Sequence, residues 1–273
     1  MIVVACLVAA VAALRGLWSP CGLSMLSSLN PVAERARGNR FWVTACWYVV
    51  GAAAGGLALG AACAVGAAAV GRAGFSPSVL WTAAAALAVG GVVSDTGVLG
   101  RSLPVHPRQL DERWLLRYRR WLYAVGYGVQ IGAGFATYIM SAAIYLTAAL
   151  AVLSGSWRGA MLVGAVFGTV RGLTILTSAV TRTPDMMRSM HRRLVSWERG
   201  SLALAVAAQA GAAVWAAALV GRAAVAATGA ALAAITFHLL RTYLLRTGSL
   251  PVGGPALRGD GHVAGRIWSR PAP

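Results

Sequence analysis

Four cysteines and two arginines set in apolar sequence are the residues of this chain with chemistry to offer. Cys6, Cys21, Cys46 and Cys63 all fall in the first 63 residues, and Arg15 and Arg171 interrupt runs of Ala, Val, Leu and Gly. Two thiols can cycle between dithiol and disulfide when their Cα atoms lie within about 7 Å. A guanidinium inside a bilayer costs at least ~2.5 kcal/mol, so it faces protein or water and takes an anion or backbone carbonyls as partner. The stretch "RGLWSPCGLSMLSSLNP", residues 15–31, brings an arginine, a helix-breaking proline and a thiol into one short segment.

The sequence that must position these residues reads as helix in lipid. The chain has 273 residues, 58% hydrophobic and 11% charged, against about a quarter charged in a soluble domain. Apolar runs of bilayer-crossing length occupy approximately 2–29, 41–70, 79–99, 121–153, 160–180, 201–220 and 223–240. The expected fold is an all-α polytopic membrane protein of about seven transmembrane helices. Alternating ten-residue segments of a β-barrel are absent. Residues 1–14 lack the positive n-region and cleavage site of a signal peptide and read as the outer part of span 1.

Charge orients the spans. The net charge is +17, and all 24 basic residues are arginine. They alternate along the connections. Arg35, Arg37 and Arg40 follow span 1, and Arg72 stands alone after span 2. Six arginines from Arg101 to Arg120 follow span 3, and Arg158 stands alone after span 4. Five from Arg182 to Arg199 follow span 5, and Arg222 stands alone after span 6. Under the positive-inside rule the rich segments are cytoplasmic, with the N-terminus outside and the C-terminus inside. Residues 201–240 must then form two spans around a tight turn at Gly221–Arg222 and not one bent helix. Interleaved spans leave no soluble domain for nucleic acid, so the expected contact of the arginines is the headgroup layer of the lipid bilayer. Two stripes, Leu110–Trp114–Tyr118–Trp121 and Met186–Met190–Leu194–Trp197, carry flanking arginines and predict helices lying on the membrane surface. Residues 248–273 are rich in Gly, Pro and Arg and predict a disordered tail.

Within span 1, Pro20 removes an amide donor and clashes with the preceding turn. A break at Ser19–Cys21 must face protein or water, as at the midplane sites of transporters; the alternative is an ordinary proline kink. "WSPCGLSML", followed by the glycine-rich "WYVVGAAAGGLALGAA", resembles the first repeat of the CcdA/DsbD-type transmembrane thiol–disulfide transporters. The resemblance implies two inverted three-helix repeats, residues 1–100 and 101–220, with an additional helix at 221–247. It also implies a bacterial inner-membrane location and a thioredoxin-like or other thiol-redox partner. "GYGVQIGAGFATYIMSAA" and "GAVFGTVRGL" stand as a degenerate second copy. That family uses one cysteine per repeat. Here Cys21 matches the first, but the second position reads Thr137–Tyr138–Ile139, with neither Pro nor Cys.

Depth counting offers another pairing. Measured from the turn at 30–40, Cys21 and Cys46 lie within about 5 Å in depth, at 1.5 Å per residue. Cys6 and Cys63 are level near the outer face by the same count. Cys21 and Cys46 would then be a redox pair, with Cys6 and Cys63 as secondary thiols. Free cysteine is equally a small apolar filler. Arg15 and Arg171 both count to near mid-depth, where they would hold an anion, or else be satisfied by carbonyls freed at Pro20 or by Gln130, Gln209 and Thr137. Asp95 falls near the inner end of span 3, within reach of solvent or an arginine. No metal or cofactor spacing appears, so none is expected. Two functional expectations follow. One is a carrier of reducing equivalents centred on Cys21. The other is a transporter of a small anionic solute that binds at Arg15, Ser19, Pro20, Thr137 and Arg171.

Overall fold

The computed structural model describes residues 1–98, 114–135 and 139–248, with the side chains of Leu116 and 243–248 excepted. All described elements are helical: α1 (Ile2–Arg15), α2 (Pro20–Ser28), α3 (Pro31–Ala36), α4 (Phe41–Ala73), α5 (Pro77–Thr96), α6 (Trp114–Arg117), α7 (Arg120–Gly132), α8 (Ala143–Leu153), α9 (Trp157–Leu173), α10 (Pro184–Val220) and α11 (Arg222–Gly248). Short 3-10 segments, Gly16–Trp18 and Thr174–Val180, follow α1 and α9. Among the described residues five helices are long and apolar enough to cross a membrane: α4, α5, α9 with its 3-10 extension, α10 and α11. The protein is a membrane-embedded helical bundle.

The α4 helix is the post around which the bundle packs. Its apolar residues run all the way round, as expected of a helix enclosed by protein and lipid. Glycines bring its backbone against two neighbours at once. A Cβ on Gly51 or Gly55 would strike the backbone of α7 at Val125 and Val129, and one on Gly56 would strike α9 at Gly164 and Gly168. The seams are mutual, because Gly128 and Gly132 face the α4 backbone at Tyr48 and Ala52, and Gly164 and Gly168 face it at Gly56 and Ala52. Small residues thus replace side-chain interdigitation by direct backbone approach, the packing that association inside lipid favours.

The first span is interrupted, as its proline predicts. The α1 segment and its 3-10 turn meet α2 at 68°. Ser19 adopts an extended conformation (φ −67°, ψ 152°), its side chain accepts from the Gly22 amide at 3.0 Å, and Pro20 occupies the first turn of α2. Ser19 also donates to the Gly16 carbonyl at 2.7 Å, which closes the end of the preceding turn. "SPCG" is therefore the grammar of a helix restart: an N-cap serine, then a proline where its missing N–H costs nothing.

Three expectations need correction. The run 121–153 is not one helix. α7, 13 residues long, ends at Gly132, and α8, 11 residues long, begins at Ala143, because Gly132 and Gly134 (φ 71°) end α7 against α4 and Phe167. The stripe Met186–Trp197 does not form a separate surface helix. It is the first half of the 37-residue α10, a rod of about 55 Å. Only part of its apolar side meets protein: Met190 and Leu194 pack against the core, and Trp18 Nε1 donates to the Leu194 carbonyl at 2.7 Å, while Met186 and Trp197 stay exposed. The other stripe loses its beginning, since Leu110 lies outside the described residues. Trp114 turns inward, stacks on Tyr127 at 6.4 Å and covers Gly126. Residues 201–240 do form two helices, separated at Gly221 (φ 144°). The tail beyond residue 248 lies outside the described residues.

The described parts of the arginine-rich connections gather at one end of the bundle. Tyr123 on α7 bonds to Glu34 on α3, and Asn30 meets Met187 on α10. At the other end Gly71 abuts Gly155, and Ile2 abuts Gly159, in the arginine-poor turns.

Candidate functional site

Both interruptions open onto buried polar side chains. At the first, Ser19 and Cys21 are buried, while Pro20 turns its ring outward. Arg171 rises from the last turn of α9 and is 1% exposed. Its guanidinium lies so close to the backbone of Gly16 that any Cβ there would occupy the same space. The Phe167 ring supports it from one turn below, 5.8 Å from the guanidinium carbon. Tyr48 of α4 and Cys21 lie within its electrostatic reach. The Tyr48 side chain is fully buried, and its hydroxyl finds no hydrogen-bond partner among the described residues. The first centre is therefore a guanidinium, a phenol and a thiol packed around the restart of a helix.

Arg15 points elsewhere. Its Nη1 donates to Ser201 Oγ at 2.5 Å and to the Glu198 carbonyl at 3.2 Å, both on α10. Glu198 and Asp95 act on it electrostatically. The two arginines flank the break instead of converging on one ligand: Arg171 closes it from α9, and Arg15 ties its N-terminal half to α10.

The second centre was not legible from spacing. Asp95, near the end of α5, accepts from Ser141 Oγ at 2.5 Å, from the Ala142 amide at 2.6 Å and from Gln209 Nε2 at 2.7 Å. It thus caps the restart of α8 from a neighbouring helix, as Ser19 caps α2 from within its own chain segment. Asp95 is half-buried and within electrostatic reach of Arg15, as expected, and it receives three direct donors as well. Gln209, expected as a partner for an arginine, is fully buried and serves Asp95. It fits because Gly91 leaves room for its amide.

Of the remaining expected residues, Cys46 lies on an exposed face of α4, Cys63 is buried and Cys6 is half-buried, and none of the four cysteines is in a disulfide. Thr137 lies outside the described residues. Among the described residues no group of His, Cys, Asp and Glu has the arrangement of a metal site.

Fold and site together define a membrane-embedded helical protein with a helix broken and restarted beside a buried guanidinium. Related sequences name the family. The chain is 30% identical over 211 residues to the methylamine utilization protein MauF of Methylophilus methylotrophus, covering 73% of this chain and 72% of that protein. It is 29% identical over 187 residues to MauF of Paracoccus versutus, covering 68% of each. With MauF of Methylorubrum extorquens it shares 32% identity over 168 residues, 60% of this chain and 58% of that one. The chain belongs to the MauF family. No family model matches it, and no solved structure matches it.

This membership corrects the resemblance to CcdA/DsbD-type transporters. The relatives carry a methylamine utilization name, so neither a thiol–disulfide carrier of cytochrome c biogenesis nor an anionic-solute transporter stands. The structure supplies the physical reason the motif misled. Ser-Pro-Cys is needed here to end one helix and restart another, a task any interrupted membrane helix poses, whatever its chemistry.

Proposed function

We propose that this protein is a membrane-embedded accessory component of methylamine utilization, acting on other components of that process and not on the amine. The observation that carries the accessory part is the sign of the buried charge. Methylamine is a cation at neutral pH, and the fully buried ionic side chain at the first break is a guanidinium, Arg171. A second guanidinium, Arg15, flanks the same break, so a cationic ligand would be repelled in a low-dielectric setting. The nearby carboxylate, Asp95, already has three donors. The methylamine part comes from the family name of the relatives.

The same reading extends to architecture and location. We take α1–α2, α4 and α5 as one three-span unit and α7–α8, α9 and α10 as a second, inverted one, with α11 added, for seven spans in all. In support, each unit begins with an interrupted helix and continues with a glycine-faced one, and those two glycine faces meet each other. We place the arginine-rich end in the cytoplasm of a bacterial cell and the N-terminus outside the inner membrane, on the positive-inside rule.

Deleting the gene in its own host tests the proposal. Growth on methylamine should fail, growth on a substrate without the amine should persist, and uptake of radiolabelled methylamine should stay normal. Unchanged growth on methylamine would refute the family role, and abolished uptake would refute the accessory role.

A further inference from the structure

Residues 29–40, between the first interrupted helix and α4, lie across the arginine-rich end of the bundle as a strap. A carboxylate that no water touches holds it down: Glu34, on the short helix α3, is 0% exposed. Its oxygens receive three donors from three parts of the molecule. Arg37 Nη1 donates at 2.7 Å from the strap itself, Thr44 Oγ1 at 2.6 Å from α4, and Tyr123 Oη at 3.0 and 3.1 Å from α7. Asn39 Nδ2 donates in turn to Tyr123 Oη at 3.1 Å. At the strap's other end Asn30 caps α3, accepting from the amides of Val32 and Ala33, and Ser178 donates to the Leu29 carbonyl at 3.1 Å.

We propose that this strap is a closure over the first buried centre, latched by Glu34 and lifting as a unit to open Cys21 and Arg171 to the arginine-rich end. The inference goes beyond the role in methylamine utilization and does not depend on it. Three observations carry it. First, the strap is joined to the break through one buried cluster: Leu26, Leu29 and Phe41 at its two ends pack together with Leu17 beside the break, and Cys21 lies two turns back along α2. Second, the latch is all-or-none, because a buried carboxylate stripped of one partner is strongly unfavourable, so partial opening is not a stable state. Third, the strap has a joint. Gly38 stands at φ 74° with open space around it, a position where the chain can turn without moving α4.

The test uses the full-length protein in oriented membrane vesicles, with a membrane-impermeant maleimide offered to either face. Cys21 is read in a background with Cys6, Cys46 and Cys63 replaced by Ala, and Cys63 is read alone in a parallel background. With the latch intact, Cys21 should label slowly from both faces. Glu34→Gln and Tyr123→Phe should each speed its labelling at least tenfold from the arginine-rich face only, with Cys63 unchanged. Labelling of Cys21 that does not respond to either substitution would overturn the closure. Equal acceleration of Cys63, or acceleration from both faces, would overturn it as well, since it would mean general loosening of the bundle. A variant too unstable to recover in membranes would be replaced by Asn39→Ala, which removes the donor to Tyr123 and leaves the carboxylate's direct partners in place; a smaller acceleration of the same one-sided kind is expected.

Discussion

The guanidinium of Arg171 rests on the backbone of Gly16, in a space that a single methyl group would fill. Two elements 155 positions apart in sequence are thereby made interdependent: the helix break needs a cationic filler, and the cation needs a residue without a side chain. Gly16 has ordinary helical dihedrals (φ −61°, ψ −14°), so its role is space and not backbone freedom. Gly16→Ala should cost ~1–3 kcal/mol through overpacking alone. Combining it with Arg171→Met should recover part of that loss, a non-additive coupling of roughly 0.5–3 kcal/mol. Melting curves of the four proteins in detergent measure it, and strict additivity would show that the two residues are not in contact.

The glycine seam predicts a contrast between two kinds of glycine. A Cβ at Gly164 meets the backbone of α4, which cannot move aside, whereas one at Gly90 or Gly211 meets open space. Gly164→Ala should lower stability by about 1–3 kcal/mol, while Gly90→Ala and Gly211→Ala should stay within about 0.5 kcal/mol of the parent. Thermal denaturation followed by circular dichroism checks it; equal effects at all three sites would contradict the assignment of α4 as the packing post.

Much of this frame is present in the residues. Apolar run lengths mark where helices lie, Pro20 marks the first interruption, and Gly221–Arg222 marks the last turn. The second interruption escaped because residues 133–142 contain no proline and stay apolar, so hydropathy carries no dip there. What breaks that helix is tertiary: glycines drawn onto α4, and a cap that arrives from Asp95, 46 positions upstream of Ser141. Glu34 was passed over for a similar reason. In a loop just ahead of three arginines a glutamate reads as surface charge, and its burial depends on Thr44 and Tyr123 reaching it. The stripe Met186–Trp197 has the periodicity of a helix, but an apolar stripe does not say which of its residues a neighbour will cover: Met190 and Leu194 meet the core, and Met186 and Trp197 do not.

Asp95 should behave as a cap whose shape matters more than its charge. Asp95→Ala strands the Ser141 hydroxyl, the Ala142 amide and the Gln209 amide together and should cost ~1–3 kcal/mol or more. Asp95→Asn keeps an acceptor for Ala142 and a donor that Ser141 or a turned Gln209 can accept, so it should cost less than half as much. Stability measurements on the pair decide the point, and equal losses would mean that the negative charge itself is needed.

The orientation of the bundle is open to a direct check. Single cysteines placed at Arg37 and Arg193 should label from the same face of the membrane, and one placed at Arg158 from the opposite face. Labelling of all three from one side would reverse the account of which connections share an end.

The central claim is that the buried guanidinium at the first break is what the protein needs in order to support methylamine utilization. Growth on methylamine of the gene-deletion strain, complemented by the wild type, Arg171→Ala or Cys21→Ser at matched membrane levels, tests it most directly. The account predicts restored growth with the wild type and with Cys21→Ser, and at least a tenfold slower recovery with Arg171→Ala. Full recovery with Arg171→Ala, alongside failure of Cys21→Ser, would contradict it.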